Sequence, residues 1–330
     1  MGTSINWRGR IGIAVLALCF TGTLVFSQQY TGYKNQFRIY ADEDYLNVRG
    51  AGTDKGYTSG DRFSFYFIKN RTGFALNRIL PKAGPAALNT YHIDLAYIVF
   101  TPSDLTSTVP QQGDYPYSGS VILSYGLHSS NLSKKYNFQS TLSIGAMGPF
   151  SGARDVQQWL HKLLGDEKPE GWSNQLKNDL LINFSFAAEK QLFQAGGIFD
   201  GIIGGKISGG TQVDEAGAYG MFRIGKMNPY FSGPIGHYGY VSGKSHWQGY
   251  FFIKSGASGI FYNALLQGGI IMNKDNVYNA IINHFHSFLD YGLTIVYHNF
   301  AFSLTQKAYS SYIKGLKSEE TGNITIFFSW

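Results

Sequence analysis

The chain has 330 residues, a formal net charge of +6, and a composition in which 16% of residues are aromatic and 15% charged. This balance, with 41 glycines, is typical of a membrane β-barrel that has an apolar outer band, aromatic belts and a polar interior. The positive charge is too weak and dispersed to indicate a nucleic-acid partner, and the single cysteine excludes a disulfide bond within the chain.

The amino terminus has the pattern of a secretory signal. Two arginines precede an apolar run over residues 11–26, and a small-residue cleavage site ends at Ser27. We therefore expect a signal peptide over residues 1–27, which would remove Cys19, and a single barrel domain over residues 28–330. An uncleaved membrane anchor is the alternative, but the apolar run is short for a membrane span.

Apolar and polar side chains alternate along most of the remaining chain, which is the pattern of strands with two different faces. Phe63, Phe65 and Phe67, for example, share one face of their strand. The alternation predicts about twelve strands, at residues 36–47, 61–67, 91–101, 118–129, 136–144, 181–195, 199–209, 215–226, 247–262, 278–299, 300–312 and 322–330.

The last predicted strand ends on Trp330 and resembles the closing strand of bacterial outer-membrane barrels. A soluble β-sandwich is the alternative, but the signal sequence and the composition favour the membrane. The predicted fold class is therefore all-β, a transmembrane antiparallel β-barrel of about twelve strands with a short helical insertion, located in the bacterial outer membrane.

Residues 151–167 interrupt the strand pattern with an amphipathic helix. Val156, Leu160 and Leu163 recur at helical spacing, while Arg154, Gln157 and His161 fall on another face. An imidazole on such a face can act as a general base toward water at neutral pH. A lone histidine is more often a surface or packing residue. Glu167, beyond the helix, is a further candidate oxygen ligand.

Two other segments carry candidate metal ligands. The acidic run Asp42-Glu43-Asp44 ends the first predicted strand, and its carboxylates are suited to a hard cation such as Ca²⁺. A solvated strand end is an equally good interpretation of these residues. The turn at residues 52–60 is rich in glycine and hydroxyl groups, and it offers the Thr58 side chain to a metal or an oxyanion.

Taken in order, these motifs resemble the LpxR-like family of outer-membrane lipid A 3′-O-deacylases. The resemblance covers roughly the first half of residues 28–330 at the level of motifs, and the block around His161 is the most specific part. The motifs are Asp42-Glu43-Asp44, Thr53-Asp54, Tyr57-Thr58-Ser59-Gly60, Tyr115-Pro116-Tyr117, Gly145 with Gly148 and Ser151, Val156-Gln157, His161, Gly165, Glu167, Gly171-Trp172 and Asn174-Gln175.

The resemblance implies an active site at the outer end of the barrel, between the wall and the inserted helix. The implied reaction is Ca²⁺-dependent hydrolysis of the 3′ acyloxyacyl ester of lipid A in lipopolysaccharide. His161 would be the general base, Asp44 the main Ca²⁺ ligand, and Thr58 and Glu167 would complete or order the metal shell. Gln157 would hold the imidazole or the substrate.

The sequence departs from the family pattern at two points. Glu43 stands where the family commonly has asparagine before the metal-binding aspartate, which leaves open whether Asp42 or Asp44 is the ligand. The family's basic substrate-binding residue has no matching motif in this sequence, and Arg154 is the candidate for it. Glu43 is the second candidate substrate-binding residue. The alternatives are a barrel of the same fold with a different or no activity and a channel. We expect the protein to act as a monomer.

Overall fold

The computed structural model describes residues 33–47, 56–68, 76–232, 247–272, 278 and 280–330. These residues form a closed antiparallel barrel of twelve strands, in which sequence neighbours pair and β1 closes the barrel against β12. The predicted all-β barrel is confirmed. The signal-peptide prediction and the Thr53-Asp54 motif lie outside the described residues.

The strands are β1 Asn35–Glu43, β2 Gly56–Ile68, β3 Leu88–Thr101, β4 Ser118–Asn131, β5 Tyr136–Met147, β6 Asp179–Ala195, β7 Phe199–Gly210, β8 Val213–Lys226, β9 Trp247–Asn263, β10 Phe285–Tyr297, β11 Phe300–Tyr309 and β12 Glu319–Ser329. The helices of the described residues are α1 Leu76–Ile79, α2 Ala153–Leu164 and α3 Ala264–Gln267. Within this part of the chain, none is long and apolar enough to cross a membrane.

Each predicted strand corresponds to an observed one, with differences at the ends. The largest difference is at β10, which begins at Phe285 rather than at residue 278. The residues just before it make an isolated bridge, from Ile282 to Ile313, outside the barrel ladder. The alternation of apolar and polar residues therefore begins in the sequence before the point where β10 starts to pair with its neighbours.

The barrel wall has an apolar outer face and a polar inner face. On β1, Phe37 and Ile39 are exposed on the outside, whereas Gln36 and Arg38 are buried on the inside. Because successive strand residues point to opposite faces, the sequence alternation is converted directly into this division. A lipid-facing band and a polar interior are what the outer membrane requires of a barrel.

The interior is largely filled by hydrogen-bonded polar side chains. Near the end that carries the chain terminus Trp330, Arg223 donates from Nε to Asp200 at 3.0 Å and lies between the rings of Tyr230 and Tyr250. Polar cavities of about 290 and 470 Å³ lie in the interior. Helix α2 lies at the opposite end, in the long connection between β5 and β6. Outer-membrane barrels carry their longer connections outside the cell, which assigns α2 to the outer end.

Candidate active site

Helix α2 is bounded by two glycines in the left-handed region. A 3₁₀ turn containing Pro149 leads to Gly152, whose φ is 67°, and the helix then starts at Ala153. At its other end Gly165 has a φ of 73° and donates its N–H to the carbonyl of His161. Such conformations favour glycine, which explains why the helix begins and ends at these residues.

The helix packs against the outside of the barrel with its more polar face. Its buried residues are Ala153, Gln157 and His161, whereas Val156 and Leu163 are exposed. Ala153 sits on Gly119 of β4, where an added methyl group would lie 2.3 Å from the Ala153 Cβ. Glycine at residue 119 therefore allows the close approach that holds the helix to the wall.

His161 is buried and held in one orientation. The residue is only 4% exposed, and its Nδ1 lies 2.6 Å from the backbone carbonyl oxygen of Glu167. Because a carbonyl can only accept, Nδ1 must carry the proton in this hydrogen bond. In the neutral ring, Nε2 is therefore the basic nitrogen, which is the arrangement that a general base needs.

Gln157 lies one turn before His161 and is fixed from one side only. Its Oε1 accepts a hydrogen bond of 2.7 Å from the indole of Trp172, which packs against the ring of Tyr117 at 4.8 Å. Burial raises the pKa of the Tyr117 phenol, which remains a neutral donor to the Leu105 carbonyl. The Nε2 atom of Gln157 is buried and has no hydrogen-bond partner among the described residues.

A β-bulge brings polar groups to the outer face of the wall at the start of β2. The pairing of β2 with β3 shifts between Tyr57 and Ser59, which breaks the alternation. The Thr58 hydroxyl lies 2.6 Å from that of Thr101, and Ser59 donates to the Glu43 carboxylate at 2.9 Å. Thr58 and Ser59 thus both have partners in the outward register.

The acidic run is divided between the two sides of the wall. Asp42 faces the interior, where it accepts from Lys307 Nζ at 2.8 Å and from Tyr57 at 3.1 Å. Glu43 has the outward register of Phe37 and Ile39. Asp44 begins the 3₁₀ turn after β1 and is buried. The Asp42 carboxylate is therefore already neutralised by an internal lysine.

The structure leaves the side chains of Arg154 and Glu167 exposed rather than buried between the helix and the wall. Arg154 is exposed and donates from Nε to Asp155 at 3.1 Å. The Glu167 side chain is also exposed, and its backbone carbonyl, rather than its carboxylate, orients His161. Among the described residues there is no group of three or more His, Cys, Asp or Glu side chains arranged to hold a metal.

Tyr97 is a further candidate site residue that the sequence pattern did not single out. It lies on the outward register of β3 and packs against the cluster that contains Val99, Ala153 and Trp172. Its hydroxyl is buried and, in the part of the chain that the structure describes, has no hydrogen-bond partner. A usable signal was present in the sequence, because Tyr97 continues the outward register of two apolar residues, Ile93 and Leu95.

A family model described as "Outer membrane protein LpxR" matches residues 13–330. No curated protein matches the chain in sequence.

Among solved structures, LpxR from Salmonella typhimurium is similar at 19% identity with a TM-score of 0.72, covering 89% of this chain and 100% of that one. The β domain of the Bordetella autotransporter BrkA has 8% identity and a TM-score of 0.45, and the match covers 90% of this chain and 99% of the BrkA domain. The family match spans nearly the whole sequence, and the shared barrel agrees with it. The chain therefore belongs to the LpxR family of bacterial outer-membrane proteins.

Proposed function

We propose that this protein is a Ca²⁺-dependent hydrolase that removes the 3′-O-linked acyloxyacyl chain from lipid A of lipopolysaccharide. The observation that carries the proposal is the buried His161, oriented by the Glu167 carbonyl, on the lipid-facing side of the barrel wall. The resemblance to the lipid A 3′-O-deacylases supplies the substrate. The oriented imidazole of His161 supports hydrolysis by an activated water.

In the proposed reaction, His161 Nε2 takes a proton from water as the water oxygen attacks the ester carbonyl carbon. The carbon–oxygen bond to the sugar then breaks, and the imidazolium returns the proton to the sugar 3′ oxygen. The products are a free carboxylic acid and a 3′ hydroxyl group. The hydrogen bond from Nδ1 to the Glu167 carbonyl stabilises the positive charge that the ring carries between the two steps.

Two buried donors favour stabilisation of the charge that develops on the ester oxygen. The Tyr97 hydroxyl and Gln157 Nε2 are without partners among the described residues, and both belong to side chains at the contact between helix and wall. An unsatisfied buried donor costs about 1–3 kcal/mol, so a substrate oxygen that pairs with one recovers this cost. Preorganised donors of this kind stabilise an oxyanion without further rearrangement.

The oxygen donors near the wall fit a calcium ion. Asp44 offers a buried carboxylate and Thr58 a buried hydroxyl, and Ca²⁺ accepts both kinds of ligand as well as backbone carbonyls. When bound, Ca²⁺ would supply a positive charge that polarises the ester carbonyl. Asp44 is a better candidate than Asp42, which is paired with Lys307. Glu167 would bind the Ca²⁺ ion through its backbone carbonyl or would orient the other Ca²⁺ ligands.

Two residues border the proposed substrate. Arg154 is exposed at the start of α2 and is the candidate cation for a phosphate of lipid A. Glu43 lies on the outward face beside Ser59, where its carboxylate would contact the substrate or add to the charge that attracts Ca²⁺.

The test is mass spectrometry of lipid A from a Gram-negative host that expresses the protein, its His161→Ala variant, or the Lys162→Ala control. Lys162 is the exposed neighbour of His161, so its variant tests for nonspecific damage to the helix. We expect loss of one acyloxyacyl unit with the wild type and the control, and unchanged lipid A with His161→Ala. Unchanged lipid A with a correctly folded wild type would favour a barrel of different or no activity.

A further inference from the structure

Helix α2 has three chemically different flanks rather than two. Successive residues of an α-helix are turned by about 100°, so side chains can be grouped by their direction around the axis. The groups are the wall flank of Ala153, Gln157 and His161, the apolar flank of Val156, Trp159 and Leu163, and the charged flank of Asp155 and Lys162. The centres of neighbouring flanks are about 80–150° apart.

The apolar flank has no protein cover among the described residues. Trp159 and Leu163 are each 64% exposed, and Phe150, just before the helix, is 71% exposed. The wall flank has the opposite character, since Gln157 and His161 are 5% and 4% exposed. A helix that buries polar groups and exposes large apolar ones is not arranged for water on its apolar side.

The apolar flank continues the lipid-facing surface of the barrel. Ala153 packs on Gly119, and Gly119 shares its face of β4 with the exposed Val121 and Leu123. Ile144 of β5 and Ile182 of β6 extend the same exposed apolar surface beside the helix connection. Since this surface of an outer-membrane barrel contacts acyl chains, the same lipids are the chemically matched partner of the flank.

The charged flank gives the helix a direction relative to the membrane. Asp155 and Lys162 are both exposed and belong with water or polar headgroups. Tryptophan is favoured at membrane interfaces because its ring is apolar and its N–H is polar. Helix α2 thus has an apolar flank and a charged flank beside the face that contacts the wall. This is the arrangement of a helix that lies in the plane of the membrane interface.

We propose that α2 lies in the interface of the outer leaflet, with its apolar flank against lipid acyl chains and its charged flank among the headgroups. The Gln157 and His161 side chains on the wall flank are then at the depth where acyl chains join the headgroup. This inference does not depend on any catalytic activity.

Spin labels on the two exposed flanks test the inference. Cysteines would be introduced by Trp159→Cys, by Leu163→Cys and, as the matched control, by Lys162→Cys, each with Cys19→Ser. The purified proteins would be labelled with a nitroxide and reconstituted in vesicles of phospholipid and lipopolysaccharide. Collisions with oxygen, which concentrates in lipid, would be compared with collisions with a water-soluble nickel chelate.

We expect a several-fold higher ratio of oxygen to nickel collisions at residues 159 and 163 than at residue 162. Equal ratios at the three residues, or the reverse order, would overturn the inference. Low collision rates with both reagents at 159 and 163 would also overturn it, because they would show that protein covers the flank. Heat-dependent migration of the barrel in gels checks that each variant is folded. If one of the variants at residues 159 and 163 does not fold, the other still tests the inference.

Discussion

The contact between Gly119 and Ala153 makes a quantitative prediction about how the helix positions the site. In Gly119→Ala, the new methyl carbon would lie 2.3 Å from the Ala153 Cβ and 2.9 Å from the Ser151 Oγ. Carbon atoms in good contact are about 3.5–4.0 Å apart, so the helix must move from the wall by about 1.5 Å. A displacement of about 1 Å can cost about 100-fold in rate, and we expect a loss of that size in kcat.

The assay is the rate of lipid A deacylation by outer membranes that contain equal amounts of folded protein. The double variant with Ala153→Gly recreates the missing space and should recover most of the lost rate. Ala153→Gly alone is the control, and it measures the effect of a glycine at the first residue of the helix. Wild-type turnover by Gly119→Ala, or no recovery in the double variant, would refute the idea that this contact sets the distance from helix to wall.

Three further predictions address the metal, the oxyanion and the barrel. Asp44→Asn should abolish the stimulation of hydrolysis by added Ca²⁺, whereas Asp42→Asn should retain it; the opposite result would make Asp42 the ligand. Tyr97→Phe should lower kcat by about 100-fold with little change in KM, as the loss of one oxyanion donor does, and an unchanged kcat would remove Tyr97 from the site. Arg223→Met leaves Asp200 as an unpaired buried charge and should lower the free energy of unfolding by about 3–5 kcal/mol, measured by urea titration of the folded protein. An unchanged urea midpoint would contradict a stabilising role for Arg223.

The barrel was predictable from the sequence because its physics is local and repetitive. Side chains on opposite faces of a strand meet lipid or the interior, so strands such as β2 and β5 could be recognised one by one. The helix was also predictable, since its apolar residues repeat every three or four positions. Its bounding glycines, Gly152 and Gly165, agree with the observed ends.

The internal arrangement of the site could not be predicted in the same way, because it depends on contacts between distant segments. The bulge beside Thr58 changes which side chains face outward, and alternation alone does not reveal it. The role of the Glu167 carbonyl was hidden because backbone atoms carry no sequence signal. The sequence also could not show that Asp42 pairs with Lys307 on a distant strand, which makes Asp44 the better candidate of the two carboxylates for the proposed metal.

The most direct test of the proposed reaction is hydrolysis of lipid A by the purified, reconstituted protein in water enriched in ¹⁸O, with Ca²⁺ present. We expect one ¹⁸O atom in the released carboxylic acid, none at the sugar 3′ oxygen, and no release by a folded His161→Gln variant. Label at the sugar, or release by His161→Gln at the wild-type rate, would contradict attack on the ester carbonyl by a water that His161 activates.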